Sequence, residues 1–199
     1  MKLAQYTHQF NLLFPELNQL SPWSITTQGQ EVILNKIKTL GGDYTIVNNV
    51  AIHKNAVVED RVIMKGSIII SANCFVGAHA YLRGGVYLAE HVSLGPGCEV
   101  KSSFMMSHTA LAHFNFVGDS ILGSHVNMEA GSIIANHFNE REDKTIFVMI
   151  DGKRSAIDVT KFGAVVGDYT RIGANAVLSP GTILPSKSIV KRLELIEQG

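Results

Sequence analysis

Three sets of side chains in this 199-residue chain have types and spacings that could do chemistry together. His113 is one of eight histidines, and imidazole has the near-neutral pKa that a general base needs. Arg83 and Lys101 lie eighteen residues apart. A planar guanidinium and a compact ammonium on one surface suit a phosphate, although two solvated surface charges would look the same. Asn127 and Asn136 carry amides that can orient a polar ligand or simply stabilise corners.

What would bring these residues together is a period of six. Stepping from Ile46 gives Ile52, Val58, Met64, Ile70, Val76, Leu82, Leu88, Leu94, Val100 and Met106, all aliphatic or Met. Small or β-branched residues recur four positions later, from Val50 to Cys98. The register then slips, resuming at Phe116, Leu122, Met128 and Ile134 with two residues missing, and His113 falls in the slip. It returns at Thr160, Val166, Ile172, Leu178, Leu184 and Val190. Each hexad fits one short strand and a turn, and only stacked units bury their apolar side. The expected fold is all-β, a three-sided parallel β-helix over 46–190. Three hexads make one turn, so Arg83 and Lys101 stack on one corner of adjacent turns. Cys74 and Cys98 fall on small inward positions and read as core filling.

Residues 1–45 precede the repeat as a helical or irregular segment, with a helix around Gln30–Lys38 ending at Gly41-Gly42. Residues 137–159 interrupt it. There Asp151-Gly152-Lys153-Arg154 sits between two apolar runs and signals a projecting β-hairpin. Residues 191–199 are expected to cap the open last rung as a short amphipathic helix.

Composition narrows the function classes. Hydrophobic residues make up 46%, which excludes disorder. Lys+Arg and Asp+Glu are both 17, so there is no basic excess for nucleic acid, and zero net charge favours self-association. No apolar run is long enough for a membrane helix, and the N-terminus is too polar for a signal peptide. A cytoplasmic protein with reduced thiols is the expectation.

The hexad pattern resembles the left-handed β-helix (hexapeptide-repeat) acyltransferases. Residues 83–137 are similar to the C-terminal acetyltransferase domain of bifunctional glucosamine-1-phosphate acetyltransferase / N-acetylglucosamine-1-phosphate uridyltransferase. The likeness rests on Leu82-Arg83-Gly84-Gly85, Glu99-Val100-Lys101, Ala112 to Asp119, Val126 to Gly131, and Asn136. Lys161 to Asp168, the hairpin before it and Pro22-Trp23 resemble archaeal-type sugar-1-phosphate nucleotidylyltransferases.

The resemblance implies a left-handed coil and an acetyl-CoA-dependent N-acetyltransferase of an amino-sugar phosphate, assembled as a homotrimer. It implies His113 as the base, Arg83 and Lys101 on phosphate, Asn127 and Asn136 on the sugar, and Phe116 also lining it. The amide of Ala130 would meet the thioester oxygen, and Ala174 would also contact the cofactor. Lys144 and Lys161 could reach a sugar phosphate or the donor's phosphates, but surface charge is the favoured reading of both. Two departures bear on activity: Phe116 replaces a Tyr, and Glu129 replaces a Gly beside the proposed oxyanion donor. A second reading is therefore a non-catalytic sugar-nucleotide-binding or scaffolding module that partners a separate nucleotidylyltransferase. Nucleotidyl transfer by this chain alone is not expected, because its 45 leading residues hold no Gly-rich nucleotide loop, and Gly152-Lys153-Arg154-Ser155 lacks the first P-loop glycine. No metal is expected either. His108 and His113 have a spacing used by zinc carbonic anhydrases of this fold, but the third position, 72, is alanine, and His79 misses the register.

Overall fold

A computed structural model describes residues 1–198. Helices α1 (His8–Leu13), α2 (Pro22–Thr27) and α3 (Gly29–Ile37) come first. Short parallel strands then wind around three faces. The first face holds Val50–His53, Ile68–Ile70, the second halves of Tyr81–Leu88 and Glu99–Met105, Ile121–Leu122, Ala164–Val166 and Thr182–Leu184. The second runs from Val57–Val58 through Asn127–Met128 to Ile189–Val190. The third includes Ile63–Lys65, the first halves of the two long strands, Phe116–Gly118, Ile133–Ile134, Val177–Leu178 and Leu195–Ile196. Inward side chains from all three form one continuous core, in which both cysteines are buried. Burial pushes the Cys74 thiol up to about 11, so it is inert near neutral pH.

The repeat is as expected over most of the chain, but its interruption lies elsewhere. The residues pointing inward are Met105, Leu111 and Val117; Met106 is buried in a separate outer core, and Phe116 is half-buried on the third face. There is no single two-residue slip around His113. The chain loses one residue between Val100 and Met105 and another between Val117 and Leu122, both at the corner joining the third face to the first. The corner of His113 is regular, with Gly97, Phe114 and Gly131 at matching left-handed positions.

Other expectations need correction at the ends. Ile46 is no inward anchor: it is 46% exposed in Tyr44–Val47, which pairs antiparallel with Val50–His53. Thr160 faces a surface cavity instead of the core. The tail is not a helix but one further rung, Leu195–Ile196, paired parallel with Val177–Leu178. Ile196 lies six residues after Val190, so the strand period simply continues. The hairpin is present, tighter than expected: Phe147–Ile150 pairs with Lys153–Ala156 around Asp151-Gly152, both at positive φ, as a type I′ turn requires.

The first face is covered by its own chain. Ala51, Ile69, Tyr87, Phe104, Ile121, Val165 and Ile183 stack in register as an outward apolar column. Phe10 and Phe14 of the N-terminal segment pack on it, with ring centroids 5.6 and 5.4 Å from Phe104. Buried Ile146 and Val148 beside the hairpin turn join the same outer core.

Helix α3 starts directly on Gly85, which sits at φ 96° inside the corner bulge of Tyr81–Leu88. A Cβ there would lie 2.4 Å from the Gln30 backbone nitrogen. Gly85→Ala is therefore expected to cost about 3 kcal/mol or more, from left-handed strain plus a backbone clash. A denaturant midpoint that stays at the wild-type value would contradict this packing.

Candidate functional site

The shortened corner creates a polar cluster. With one residue fewer in each turn, the chain rounds it through single left-handed residues, Ser102 (φ 46°) and Asp119 (φ 47°). Serine hydroxyls occupy the backbone groups this leaves. Ser102 donates to the Gly84 carbonyl at 2.9 Å and Ser103 to the Lys101 carbonyl at 2.7 Å. Ser120 donates to the Gly118 carbonyl at 2.7 Å while accepting from the Ala164 amide at 3.0 Å. Such full pairing is what allows a buried polar corner to be rigid.

Lys101 projects from this frame. Its ammonium donates to Asp119 Oδ1 at 2.8 Å, and Asn136 Nδ2 donates to the same carboxylate at 2.5 Å. Asp119 and Asn136 are buried, and the Lys101 side chain is 16% exposed. Arg83, Lys101 and Gly118 are register neighbours on successive coils, so the expected stacking of Arg83 on Lys101 is present. Arg83 itself is held by Glu99 at 2.7 Å. Phe116 and Asn136 both pack on Gly118, where a Cβ would meet them at 2.8 and 2.9 Å.

Lys101 and Asp119 open onto a cavity of about 450 Å³. Its other walls are Thr26 and Thr27 at the end of α2, and Asp158, Thr160 and Lys161 from the chain leaving the hairpin. The reading of Lys161 near phosphate chemistry thus has a geometric partner in Lys101. Lys144 does not line this cavity; its ammonium donates to the Asn139 carbonyl at 2.8 Å. Asp119, Thr26, Thr27 and Asp158 were not singled out from sequence. Only Asp119 left a signal, in the motif Gly118-Asp119.

The remaining candidates lie apart from that cavity. His113 is exposed on the corner between the second and third faces. Its carbonyl accepts the Gly131 amide at 2.9 Å. The next corner position, Asn115, is buried and ties the turn to the following coil through Glu129 and Ser132. Asn127 lies on the second face, in a groove of about 600 Å³ with Glu129, Arg171, Lys191 and Arg192. Ala130 and Ala174 are on adjacent coils, the Ala130 carbonyl accepting from Asn175 at 3.0 Å. One chain therefore places the phosphate candidates at one edge of the third face and the candidate base at the other.

Glu129 turns out to have a definite position. It accepts the Ala174 amide at 2.9 Å and a two-pronged ion pair from Arg192 at 2.8 and 2.9 Å. Hydrogen bonds from Arg192 hold its carboxyl below the usual carboxylate range. The amide of Ala174, a residue expected to contact the cofactor, is thus already engaged; Glu129 does not bind the Ala130 amide, the one expected to meet the thioester oxygen. Among the described residues no group of three or more His, Cys, Asp or Glu side chains is arranged to hold a metal, and no helix is long and apolar enough to cross a membrane.

A three-sided parallel solenoid built on a six-residue period, with a polar cluster at the corner joining its third and first faces, defines a hexapeptide-repeat protein. Residues 64–197 match the family described as the GMPPB C-terminal domain, and the chain belongs to that family. It is 37% identical over 173 residues to "Bifunctional protein GlmU" of Methanococcus vannielii, an alignment covering 85% of this chain and 41% of that protein. It is 39% identical over 95 residues to a "Bifunctional sugar-1-phosphate nucleotidylyltransferase/acetyltransferase" of Sulfurisphaera tokodaii, covering 47% of this chain and 23% of that one. The chain thus spans less than half the length of these curated relatives. A hexapeptide transferase family protein from Anaplasma phagocytophilum overlays with a TM-score of 0.41 at 18% identity, covering 73% of this chain and 72% of that chain.

Proposed function

We propose that the chain is an acetyl-CoA-dependent N-acetyltransferase of an amino-sugar 1-phosphate. The observation that carries this reading is the Lys101–Asp119–Asn136 cluster opening onto a cavity that also receives Lys161. Asp119 and Asn136 fix the Lys101 ammonium in one place, ready for a phosphate oxygen, and Lys161 adds a second cation. Thr26 and Thr27 line the same cavity and would meet sugar hydroxyls, while Asn136 acts from behind through Asp119.

The amine nitrogen attacks the thioester carbonyl carbon, and the carbonyl π electrons move onto oxygen. His113 takes the amine proton as the C–N bond forms. Collapse re-forms the carbonyl and breaks the C–S bond, and the thiolate leaves with the proton that His113 returns. His113 and Lys101 flank opposite edges of the third face, so the reading places His113 of one copy against the phosphate cluster of another. The uncovered outward column of that face supports this, since Ile63, Tyr81, Phe116, Ile133, Val177 and Leu195 stand in register and are apolar or aromatic, with Glu99, the partner of Arg83, as the one charged member. A homotrimer would cover it.

A second reading is favoured by Glu129, which engages the Ala174 amide. It makes the chain a non-catalytic sugar-nucleotide-binding or scaffolding module beside a separate nucleotidylyltransferase. The deciding experiment is thiol release from acetyl-CoA, with glucosamine-1-phosphate and galactosamine-1-phosphate offered in parallel. Release that depends on one of the sugars supports the transferase; sugar-nucleotide binding without release supports the module. On the transferase reading, Glu129→Ala frees the Ala174 amide, and the KM for acetyl-CoA is expected to fall several-fold, on the order of one hydrogen bond's worth. An unchanged or raised KM would mean that Glu129 is no obstacle to the cofactor.

A further inference from the structure

A column of imidazole rings stands on the corner between the first and second faces, a different corner from those of the Lys101 cluster and of His113. Successive coils place Asn73, His91, His108, His125 and Tyr169 there, each at a left-handed φ between 58° and 62°. Each ring is parallel to the next to within 6°. Their centroids are 4.6 Å apart from His91 to His108, 4.7 Å from His108 to His125, and 4.7 Å from His125 to Tyr169. Asn73 Nδ2 lies 3.5 Å from His91 Nε2 at the other end. The period of this column is seventeen residues, which explains why the three histidines are evenly spaced in the sequence.

The N-terminal segment from Tyr6 to Leu12 runs along the column and shares with it an open groove of about 570 Å³. The Ser186 hydroxyl donates to the Tyr6 carbonyl at 3.1 Å, and the segment's other hydrogen bonds to the solenoid go to residues that immediately precede a ring. Gln9 Nε2 donates to Ser107 Oγ at 2.7 Å, and the Ser107 amide donates back to Gln9 Oε1 at 2.8 Å. Ser124 Oγ donates to the same Oε1 at 3.1 Å. The His8 amide donates to Asp168 Oδ2 at 3.2 Å, and the Asp168 amide to the Tyr6 carbonyl at 2.8 Å. Ser107, Ser124 and Asp168 are followed by His108, His125 and Tyr169.

We propose that the imidazole column is a proton-operated latch that holds the N-terminal strap on the solenoid at neutral pH and releases it in mild acid. Neutral imidazoles stack; adjacent imidazoliums at these distances repel. A charge on His108 would lie between two rings 4.6 and 4.7 Å away, and any adjacent charged pair pushes apart the corners to which Gln9 and His8 are tied. Loss of solvation within the stack first, and then the His125 and His91 charges, hold the exposed His108 below the usual histidine range, while Glu90 opposes this. A depressed histidine pKa costs the folded state nothing above about pH 6.5; the penalty grows as pH falls below that value. The other charged or titratable groups around the column are Tyr6 and His8 on the strap, Asp168 and Tyr169 at its end, and Lys187 on the next corner.

The strap leads into α2, whose Thr26 and Thr27 wall the Lys101 cavity, so release would loosen one side of that cavity. The latch itself does not depend on what the cavity binds. Hydrogen exchange of the full chain, read on peptides within 1–14 and corrected for intrinsic rates, tests it at about pH 7.5 and about pH 5. Protection of the strap is expected to drop about tenfold in acid while core-strand peptides stay protected. His108→Asn keeps a residue suited to the left-handed corner, as at Asn73, and removes the middle titrating ring. It should bring the acid response below about twofold. His8→Asn should leave the response intact. A wild-type strap equally protected at both pH values overturns the proposal. So does a full acid response in His108→Asn, which would assign the effect to Glu90 or Asp168, or its loss in His8→Asn.

Discussion

Replacing His113 with alanine is expected to lower kcat for acetyl transfer about a hundredfold or more, without loss of stability. The two halves of this expectation have separate grounds. His113 is exposed, and its structural bond is made by its backbone carbonyl, which alanine retains. Surface substitutions of this kind usually change stability by less than about 0.5 kcal/mol. Deprotonation of an attacking amine by a positioned base is worth about two to four orders of magnitude, and water would have to replace it. On the proposed reading KM for the sugar phosphate should change little, because Lys101 and Asn136 are untouched. A drop in kcat of less than about threefold would remove His113 from the mechanism. If the site is shared between copies, mixing His113→Ala with Lys101→Ala chains should restore part of the activity, since some mixed interfaces would carry both intact residues.

The second large effect concerns stability. Phe104→Ala is expected to cost about 4 kcal/mol. Phe104 is fully buried between the solenoid's first face and the helical segment, with edge contacts to both Phe10 and Phe14. Phe14 also makes an edge contact to Tyr87 at 4.9 Å. Truncating Phe104 therefore leaves a cavity at the junction of two layers whose other aromatic rings cannot all move to fill it. The outcome should be a lower denaturant midpoint and early proteolytic cleavage within residues 1–40, while the solenoid core persists. A midpoint within experimental error of wild type would mean that the helices contribute little to holding the first face.

The period of six was legible because the inward residues of three faces form one core, so the pattern survives every regular turn. It misled where two apolar residues are adjacent. Met105 and Met106 are both fully buried, one in the inner core and the other in the outer, and no one-dimensional pattern says which is which. Choosing Met106 moved the irregularity to His113 and hid it from Lys101 and Asp119, where it shapes the cavity. The outward column Ile69, Tyr87, Phe104, Ile121 was hidden for a related reason: a solenoid face covered by a helix is apolar on both sides, and its strands read as short runs without alternation.

The candidate site was partly legible. Arg83 and Lys101 stack as their spacing requires, and Asn136 reaches the same cluster. Asn127, on a different face, is placed with Glu129 and Arg192 instead. Spacing along a solenoid gives the coil and the face of a residue, but not which neighbours its side chain reaches. The roles of Thr26, Thr27 and Asp158 depend on how α2 and the hairpin's exit fold back over the corner, and nothing periodic records such a long-range contact.

The direct measurement is the mass of the sugar phosphate after incubation with the purified protein and acetyl-CoA. A gain of one acetyl group on glucosamine-1-phosphate or galactosamine-1-phosphate, carried on nitrogen and absent with His113→Ala, is the predicted result. An unmodified amino-sugar phosphate, from a protein that nevertheless binds a sugar nucleotide, would contradict the transferase and leave the solenoid a binding module.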